Sequence, residues 1–428
     1  MLEGGSGGDI VRHHVVRVVD PMDLLAGLRI VSFNHFLAGP LAAQILGDLG
    51  ADVIAVEPLE GAFQRNWAVA NHFVDGQSVN LLATSRNKRS IAIDLKTADG
   101  TNVIRRLLKD ADVLMENFRP GTMARLGLGH EQLRAENPRL IYAAASGYGS
   151  DGPYRDRPGQ DLLLQAMSGL AARTGSAEGP PTAVGAVVID HHAAMIYAMS
   201  ILAALFARNR TGKGTLVEVN LLQAAIDLQA ESLTAWLNGA RTSSSRAPAG
   251  IASWFSPGPY GIHATADGYL AISIASPAAL SKALDLPELA NFSDRDSFLR
   301  REEITALVMR LLLTRPTKEW LVKLEQHQVW HALVQDYEDL QSDPQLTHLG
   351  AFLMTPSATG TPITLVAHPA RYDGRAPAIG LVPQPLGAQT RAIMTELGYS
   401  SSDIDSLAAR NVVRCAENRD GLCPEQGR

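Results

Sequence analysis

Apolar segments alternate with amphipathic ones along the first 150 residues of the chain. Residues 28–34 (LRIVSFN) and 51–57 (ADVIAVE) are mostly apolar and rich in β-branched side chains, as buried parallel strands are. Between them, residues 38–50 carry apolar side chains at helical spacing and end at a glycine. The alternation continues with strands predicted at 89–95, 111–117 and 140–149, and with a helix at 97–110. The pattern predicts an α/β fold whose large, Rossmann-like domain has a parallel sheet.

The pattern changes near residue 240. Residues 240–260 are rich in serine, proline and glycine, and an Asp-Gly hairpin at 261–273 and amphipathic helices follow. These features predict a second, smaller α+β domain. The predicted organisation is a flexible extension (1–23), a large Rossmann-like domain (24–240), a small α+β domain (241–346) and a C-terminal segment (347–428) that returns to the large domain.

The longest apolar run covers residues 195–207 and predicts a buried helix at 193–208. A bilayer-spanning helix needs about 18 or more predominantly apolar residues. Because this run has only 13 residues, no membrane partner is predicted.

Directly before this run stands VIDHHAAM, with Asp190, His191 and His192. Adjacent helical residues point about 100° apart, so the two histidines cannot grip one ion together, and no metal site is predicted. Aspartate is a favoured helix N-cap. A carboxylate at a helix N-terminus is also held ionised beside backbone donors, as a nucleophile requires. Spacing alone leaves both the cap and the catalytic interpretation open.

Composition narrows the classes of function. The chain has a formal net charge of −6 and 46% apolar residues, which argues against nucleic acid as a partner. Its two cysteines, Cys415 and Cys423, exclude a disulfide framework and suit a reducing cytoplasm. The first 23 residues lack the apolar core of a signal peptide. A cytoplasmic protein is predicted.

Two nucleotide-binding motifs are incomplete. The segment after the first predicted strand reads HFLAGPLAAQILG instead of G-x-G-x-x-G. The turn RTGKG lacks the first glycine of a Walker loop, because that position is Ala207. Neither a dinucleotide nor a nucleoside triphosphate is predicted as a ligand.

Several long motifs occur in order: GLRIVSFNHFLAGPLAAQILGDLGADVIAVEP, NKRSIAIDLKTADG, ADVLMENFRPGTMARLGLG and GPPTAVGAVVIDHHAAM. Through them the chain resembles the family III CoA-transferases, a group that includes formyl-CoA and carnitine CoA-transferases and α-methylacyl-CoA racemases. The resemblance runs from about residue 28 to 225. It implies a Rossmann-like large domain, a smaller domain and two ring-like chains interlocked as a homodimer. It further implies CoA bound between the domains, with acyl-CoA and a carboxylic acid as substrates and no metal.

The resemblance places the catalytic nucleophile at Asp190. There it implies attack on an acyl-CoA thioester, a mixed anhydride, and then an enzyme–CoA thioester that an acceptor acid resolves. It places CoA-binding or active-site positions at His35, Ala38, Asn117, Phe118, Arg125 and Asp161. Spacing alone makes Asp161 a helix N-cap. Lys88 and Arg89 either add charge for CoA or lie at a solvated strand edge.

Two departures from the formyl-CoA transferase type make oxalate and formate less favoured acids. Leu37 replaces a glutamine, and SWFSPGPYGIH replaces a glycine-rich lid. A more apolar pocket favours a larger acid, either a dicarboxylate or a branched or aromatic carboxylate, and the sequence does not decide between them. The alternative is a 2-methylacyl-CoA racemase, which needs a base on each face of the α-carbon. Racemase relatives carry histidine where this chain has Gln160, although His130 could supply a second base. A CoA-binding protein without turnover is the non-enzymatic alternative.

Overall fold

The computed structural model describes residues 23–242, 244 and 246–416. The predicted extension (1–23), apart from Asp23, and Cys423 lie outside the described residues.

The strands of the described part are β1 (Arg29–Phe33), β2 (Asp52–Glu57), β3 (Phe73–Val74), β4 (Gln77–Ser78), β5 (Lys88–Ile93), β6 (Val113–Glu116), β7 (Ile141–Ser146), β8 (Leu216–Asn220), β9 (Gly261–Ala264), β10 (Tyr269–Ile272), β11 (His331–Leu333), β12 (Phe352–Pro356), β13 (Pro362–Val366) and β14 (Val413–Arg414).

Its α-helices are α1 (Ala38–Asp48), α2 (Phe63–Asn66), α3 (Val79–Thr84), α4 (Ala98–Leu108), α5 (Thr122–Arg125), α6 (His130–Glu136), α7 (Asp161–Met167), α8 (Leu170–Arg173), α9 (Val188–Thr211), α10 (Leu221–Asp227), α11 (Ala230–Leu237), α12 (Pro277–Leu284), α13 (Asp296–Leu299), α14 (Arg301–Leu312), α15 (Thr317–Gln326), α16 (Tyr337–Leu340), α17 (Pro344–Leu349), α18 (Thr390–Glu396) and α19 (Ser401–Ala409).

The chain divides into two compact units. Of the described residues, the first unit contains those up to Asp156, those of Ala193–Val219 and those from Gln345 to 416; the second contains those of Arg157–His192 and Asn220–Pro344. Segments predicted within the large domain at 24–240 therefore lie in the second unit. The reason is local packing, since α7 contacts α8 and α10, and α10 contacts α11.

A seven-stranded sheet, ordered β14-β5-β2-β1-β6-β7-β8, organises the first unit. The pairs from β5 through β7 are parallel, and β14 joins the edge antiparallel to β5. Ile30 and Val31 are both fully buried and belong to different apolar clusters, because neighbouring residues of a strand point to opposite faces. The fold is thus mixed α/β with a large, mainly parallel sheet, as the sequence predicts. The loops after β1 and β6 meet at one edge of this sheet, since these strands are parallel neighbours.

Helix α9 is longer than the apolar run predicts, because it begins at Val188 and ends at Thr211. By length and composition it could span a membrane, which corrects the prediction that no segment could. However, its Ala194, Tyr197 and Ile201 are buried in one core cluster of the sheet. A core helix satisfies the same length and composition criteria.

The second unit contains a three-stranded antiparallel sheet ordered β11-β10-β9. Strands β9 and β10 form the hairpin predicted at 261–273. Helices α12, α14 and α15 cover an apolar core that includes the fully buried Trp320. Strand β11 lies where the sequence pattern predicts only helices. Its three residues are extended because they pair with Leu270–Ile272 of β10.

Candidate active site

Asp190 is the third residue of α9 and lies in its first turn. The interpretation of Asp190 as the helix N-cap is therefore wrong. An N-cap precedes the first helical residue and binds the free amides of the first turn. The Asp190 carboxyl is partly buried, and among the described residues it has no hydrogen-bond partner.

Asp161 binds the free amides of α9 instead. It is the first residue of α7, whose N-cap is Gln160, so the prediction that Asp161 caps its own helix is also wrong. Its Oδ2 accepts hydrogen bonds from the backbone N–H groups of Ile189 (2.8 Å) and Asp190 (3.1 Å). These amides are donors that an isolated helix leaves unsatisfied. A buried carboxylate 29 residues away in sequence thus holds the backbone of Asp190.

Gln165 extends this network and was not singled out from the sequence. Its Nε2 donates to Asp161 Oδ1 (2.5 Å), and its Oε1 accepts from the backbone N–H of Val184 (2.9 Å). The only sequence signal was the four-residue spacing from Asp161, which brings two helical side chains together.

The electrostatic environment of Asp190 differs from the one expected. Burial raises its pKa from 3.8 to about 7, and the nearby negative charge of Asp161 adds to the rise. The expectation that the helix terminus keeps the carboxyl firmly ionised is therefore wrong. Desolvation and a like charge outweigh the favourable helix dipole. At neutral pH the free protein holds Asp190 as a mixture of carboxyl and carboxylate.

The two histidines after Asp190 differ in surroundings. His191 is exposed, whereas His192 Nε2 lies 2.8 Å from Asp227 Oδ2. Within the described ranges, no three His, Cys, Asp or Glu side chains are grouped so that they could hold a metal ion.

A second cluster lies in the first unit, in the loops after β1 and β6. Asn117 brackets His35, since its Oδ1 accepts from the His35 N–H and its Nδ2 donates to the His35 carbonyl, each at 2.8 Å. The Phe118 ring centre lies 5.2 Å from the His35 ring. Burial lowers the pKa of His35 to about 4, so the imidazole is neutral at pH 7. The structure therefore brings together three of the six predicted CoA-binding or active-site positions.

Ala38 follows His35 by three residues, and Arg125 follows Phe118 by seven. Ala38 is buried at the start of α1, and the next residue, Gly39, packs tightly on Asn34. A β-carbon at Gly39 would lie 2.4 Å from Asn34 Oδ1, so only glycine fits. Arg125 ends α5 with an exposed guanidinium that donates to Thr122 Oγ1 (3.0 Å).

Glu116 is a member of this cluster that sequence reasoning missed. It ends β6, and its Oε2 accepts from the Phe118 N–H at 2.8 Å. Burial raises the pKa of Glu116 to about 7, against the effect of this hydrogen bond. Its position at the carboxyl end of a parallel strand, before Asn117, was the available signal.

The surroundings of Lys88 contradict the interpretation that it lies at a solvated strand edge. Its ammonium is buried and donates to the carbonyls of Pro40 and Thr84, both at 2.6 Å. Burial lowers the pKa of Lys88 to about 7. Arg89 is paired with Asp52 (2.7 Å) and Glu396 (2.6 Å). Lys88 thus ties the first turn of α1 to the end of α3 and does not lie at a solvated edge.

Comparison with known proteins agrees with the motifs. A family model described as CoA-transferase family III matches residues 25–390. A succinyl-CoA:glutarate CoA-transferase of Mus musculus is 32% identical over 94% of this chain and 92% of its own. A probable fatty acyl-CoA transferase of Mycobacterium tuberculosis is 33% identical, over 87% of this chain and 98% of its own.

The fold agrees as well. The crystal structure of a CAIB/BAIF family protein from Brucella suis matches with a TM-score of 0.77 and 30% identity. The match covers 88% of this chain and all of that one. The two named relatives are CoA-transferases, so the racemase interpretation gains no support from them. The chain belongs to the CoA-transferase family III and is a CoA-transferase acting on CoA thioesters.

Proposed function

We propose that the protein moves CoA from an acyl-CoA donor to a carboxylic acid acceptor, with Asp190 as the nucleophile. The observation that carries this proposal is the free carboxyl of Asp190 beside Asp161. A structural aspartate at a helix start spends its oxygens on the helix amides, and Asp161 performs that task here. The Asp190 carboxyl is left available for chemistry.

The reaction follows from carboxylate chemistry. The Asp190 carboxylate attacks the thioester carbonyl, which forms an acyl–aspartyl anhydride and breaks the C–S bond to release CoA thiolate. The thiolate then attacks the aspartyl carbonyl, giving an enzyme–CoA thioester and the donor acid. The acceptor carboxylate attacks this thioester, forming a new anhydride and CoA thiolate. Attack of the thiolate on the acceptor carbonyl yields the new acyl-CoA and restores Asp190. Each intermediate stays activated, so the thioester free energy is retained.

The raised pKa of Asp190 suits this role. A carboxylate with a pKa of about 7 is a better nucleophile than one with the ordinary value of 3.8, although only part of it is ionised at neutral pH. The negative charge of Asp161 opposes ionisation of Asp190. The repulsion between the two carboxylates disappears when Asp190 becomes a neutral anhydride or thioester. The pair of carboxylates therefore destabilises the free enzyme relative to its covalent intermediates.

The test is mass spectrometry of the protein mixed with succinyl-CoA. We expect one CoA, less one water, attached to the peptide that contains Asp190, and we expect hydroxylamine to remove it. An adduct on another peptide, or transfer activity without any adduct, would contradict the proposed nucleophile. Glutarate, a fatty acid and oxalate, offered in the same assay, separate the acceptor classes. We propose a dicarboxylate larger than oxalate, which Leu37 and the name of the mouse relative support.

We propose that the cluster of His35, Asn117 and Phe118 binds CoA, together with Ala38 and Arg125. Replacement of Asn117 by alanine removes both hydrogen bonds that fix the backbone of His35. We expect the Kd for CoA, measured by calorimetry, to rise about tenfold because the free loop must be ordered on binding. Asn209→Ala, at an exposed position of α9, is the matched control. An unchanged Kd in Asn117→Ala would remove this cluster from the CoA site.

A further inference from the structure

Gln165 is more deeply buried than Asp161, the residue that binds the Asp190 amide, with only 2% of its surface exposed. Both ends of its amide are engaged, and in opposite senses. Nε2 donates to Asp161 Oδ1, and Oε1 accepts from Val184 N–H. A primary amide can do both at once, whereas an ionised carboxylate can only accept and an aliphatic side chain can do neither.

These bonds form a chain that returns to Asp190. From the Val184 amide it runs through Gln165 to Asp161, whose other oxygen binds the amides of Ile189 and Asp190. The two ends of this series of hydrogen bonds lie at Val184 and at Asp190, on either side of residues 184–190. Within this stretch, residues 185–187 are exposed and precede the helix. Side chains of α7 therefore hold both ends of the segment that delivers Asp190 into α9.

We propose that Gln165 is a positioning residue for CoA transfer, acting on Asp190 through Asp161 and through the backbone of residues 184–190. The inference rests on the proposed function in one respect, the role of Asp190 as nucleophile. By fixing Asp161 Oδ1, Gln165 sets the orientation in which Oδ2 reaches the two helix amides. It thereby sets the separation of the two carboxyls and, at the same time, anchors Val184. A glutamine that merely fills the core would affect folding and leave the chemistry of Asp190 unchanged.

The experiment compares Gln165→Leu, Gln165→Glu and a matched control, Gln229→Leu, at temperatures well below the Tm of each variant. Gln229 lies in the same unit, and among the described residues its side-chain amide donates only to the backbone carbonyls of Ser168 and Ala225. In Gln165→Leu both bonds are lost. We expect kcat to fall about tenfold with little change in KM for acyl-CoA. The control should retain wild-type values.

Gln165→Glu supplies a readout that a structural role would not produce. A protonated carboxyl donates to Asp161 and accepts from Val184, as the amide does, whereas an ionised one only accepts and repels Asp161. We expect activity relative to wild type to be near one at pH 5.5 and to fall about tenfold by pH 8.5. A ratio that does not change with pH, in a variant that is folded throughout, would overturn the proposal.

Hydrogen exchange of the substrate-free protein keeps this test separate from the proposed function. We expect faster exchange in residues 184–190 of Gln165→Leu than in wild type or Gln229→Leu. Unchanged exchange would overturn the proposal whatever the activity. If Asp190 proves not to be the nucleophile, the proposed function fails. The exchange data would then still show whether Gln165 holds this segment.

Discussion

Asp190→Asn is expected to abolish CoA transfer. The amide has the shape of the carboxyl but cannot form the anhydride or the enzyme–CoA thioester. Loss of a covalent nucleophile lowers kcat on the order of 10⁴-fold or more. We expect no transfer from succinyl-CoA to any acceptor acid, and no CoA adduct on the peptide that contains residue 190. Binding of CoA, measured by calorimetry, should stay within about threefold of wild type, because the lost group acts in the covalent step.

The same variant should be more stable than wild type, and this distinguishes lost chemistry from lost folding. The pKa of Asp190 rises from 3.8 to about 7 on folding. Between these values the unfolded chain is ionised while the folded protein keeps the proton. The stability of wild type therefore declines as pH rises from about 4 to 7 and stays reduced above 7. Asparagine carries no such cost. The gain in Tm of Asp190→Asn should be larger at pH 8 than at pH 5.

Two results would contradict this account. Transfer at more than about one per cent of the wild-type rate in Asp190→Asn would exclude covalent catalysis at this position. A Tm at pH 8 below that of wild type would show that the Asp190 carboxylate stabilises the fold, against the raised pKa.

Asp161→Asn is the second change with a large expected effect. The charge of Asp161 helps to raise the pKa of Asp190. The pKa of Asp190 in the wild type is about 7, and we expect the midpoint of the pH dependence of kcat/KM to lie at a lower pH in Asp161→Asn than in the wild type. Asparagine has one acceptor oxygen, so it cannot serve Gln165 and the α9 amides as the carboxylate does. We expect kcat on the alkaline plateau to fall between about tenfold and a hundredfold.

The pH profile of Asp161→Asn is measured from pH 5 to 9 with saturating and limiting acyl-CoA. Asp294→Asn, an exposed aspartate of the second unit, is the control and should reproduce the wild-type profile. A midpoint in Asp161→Asn that equals the wild-type midpoint would show that the charge of Asp161 does not reach Asp190. A large loss of kcat would then come only from the weakened hydrogen bonds between residue 161 and the amides of α9.

Much of the fold could be predicted because the residues within each strand of the large sheet carry the pattern of a buried strand. The strands predicted at 28–34 and 51–57 are observed at Arg29–Phe33 and Asp52–Glu57. A strand in a parallel sheet is buried on both faces, so a short continuous run of β-branched and other apolar residues is typical of it. Strand β11 could not be predicted, because His331–Leu333 is extended only through its pairing with β10. Three residues are too few to show the alternation of apolar and polar side chains by which a strand is recognised.

The candidate site was predicted in part, and the limits have a physical cause. His35, Asn117 and Phe118 meet because parallel neighbouring strands bring their loops together. Glu116 was missed because its significance depends on how deeply the end of β6 is buried. Lys88 was misread because a charged residue in a short motif resembles a surface residue until its partners, Pro40 and Thr84, are known.

The sequence alone determined the parallel strands, the family and the location of Asp190 at the start of a long helix. Each of these depends on residues close together in the chain. The tertiary structure decided what surrounds that aspartate. Asp161 takes the helix amides, Gln165 holds Asp161, and burial beside a like charge raises the pKa of Asp190 to about 7. Hydrogen-bond partners and desolvation come from groups distant in sequence, so local patterns do not specify them. For this reason spacing suggested a firmly ionised cap, whereas the fold presents a free carboxyl that ionises near neutral pH.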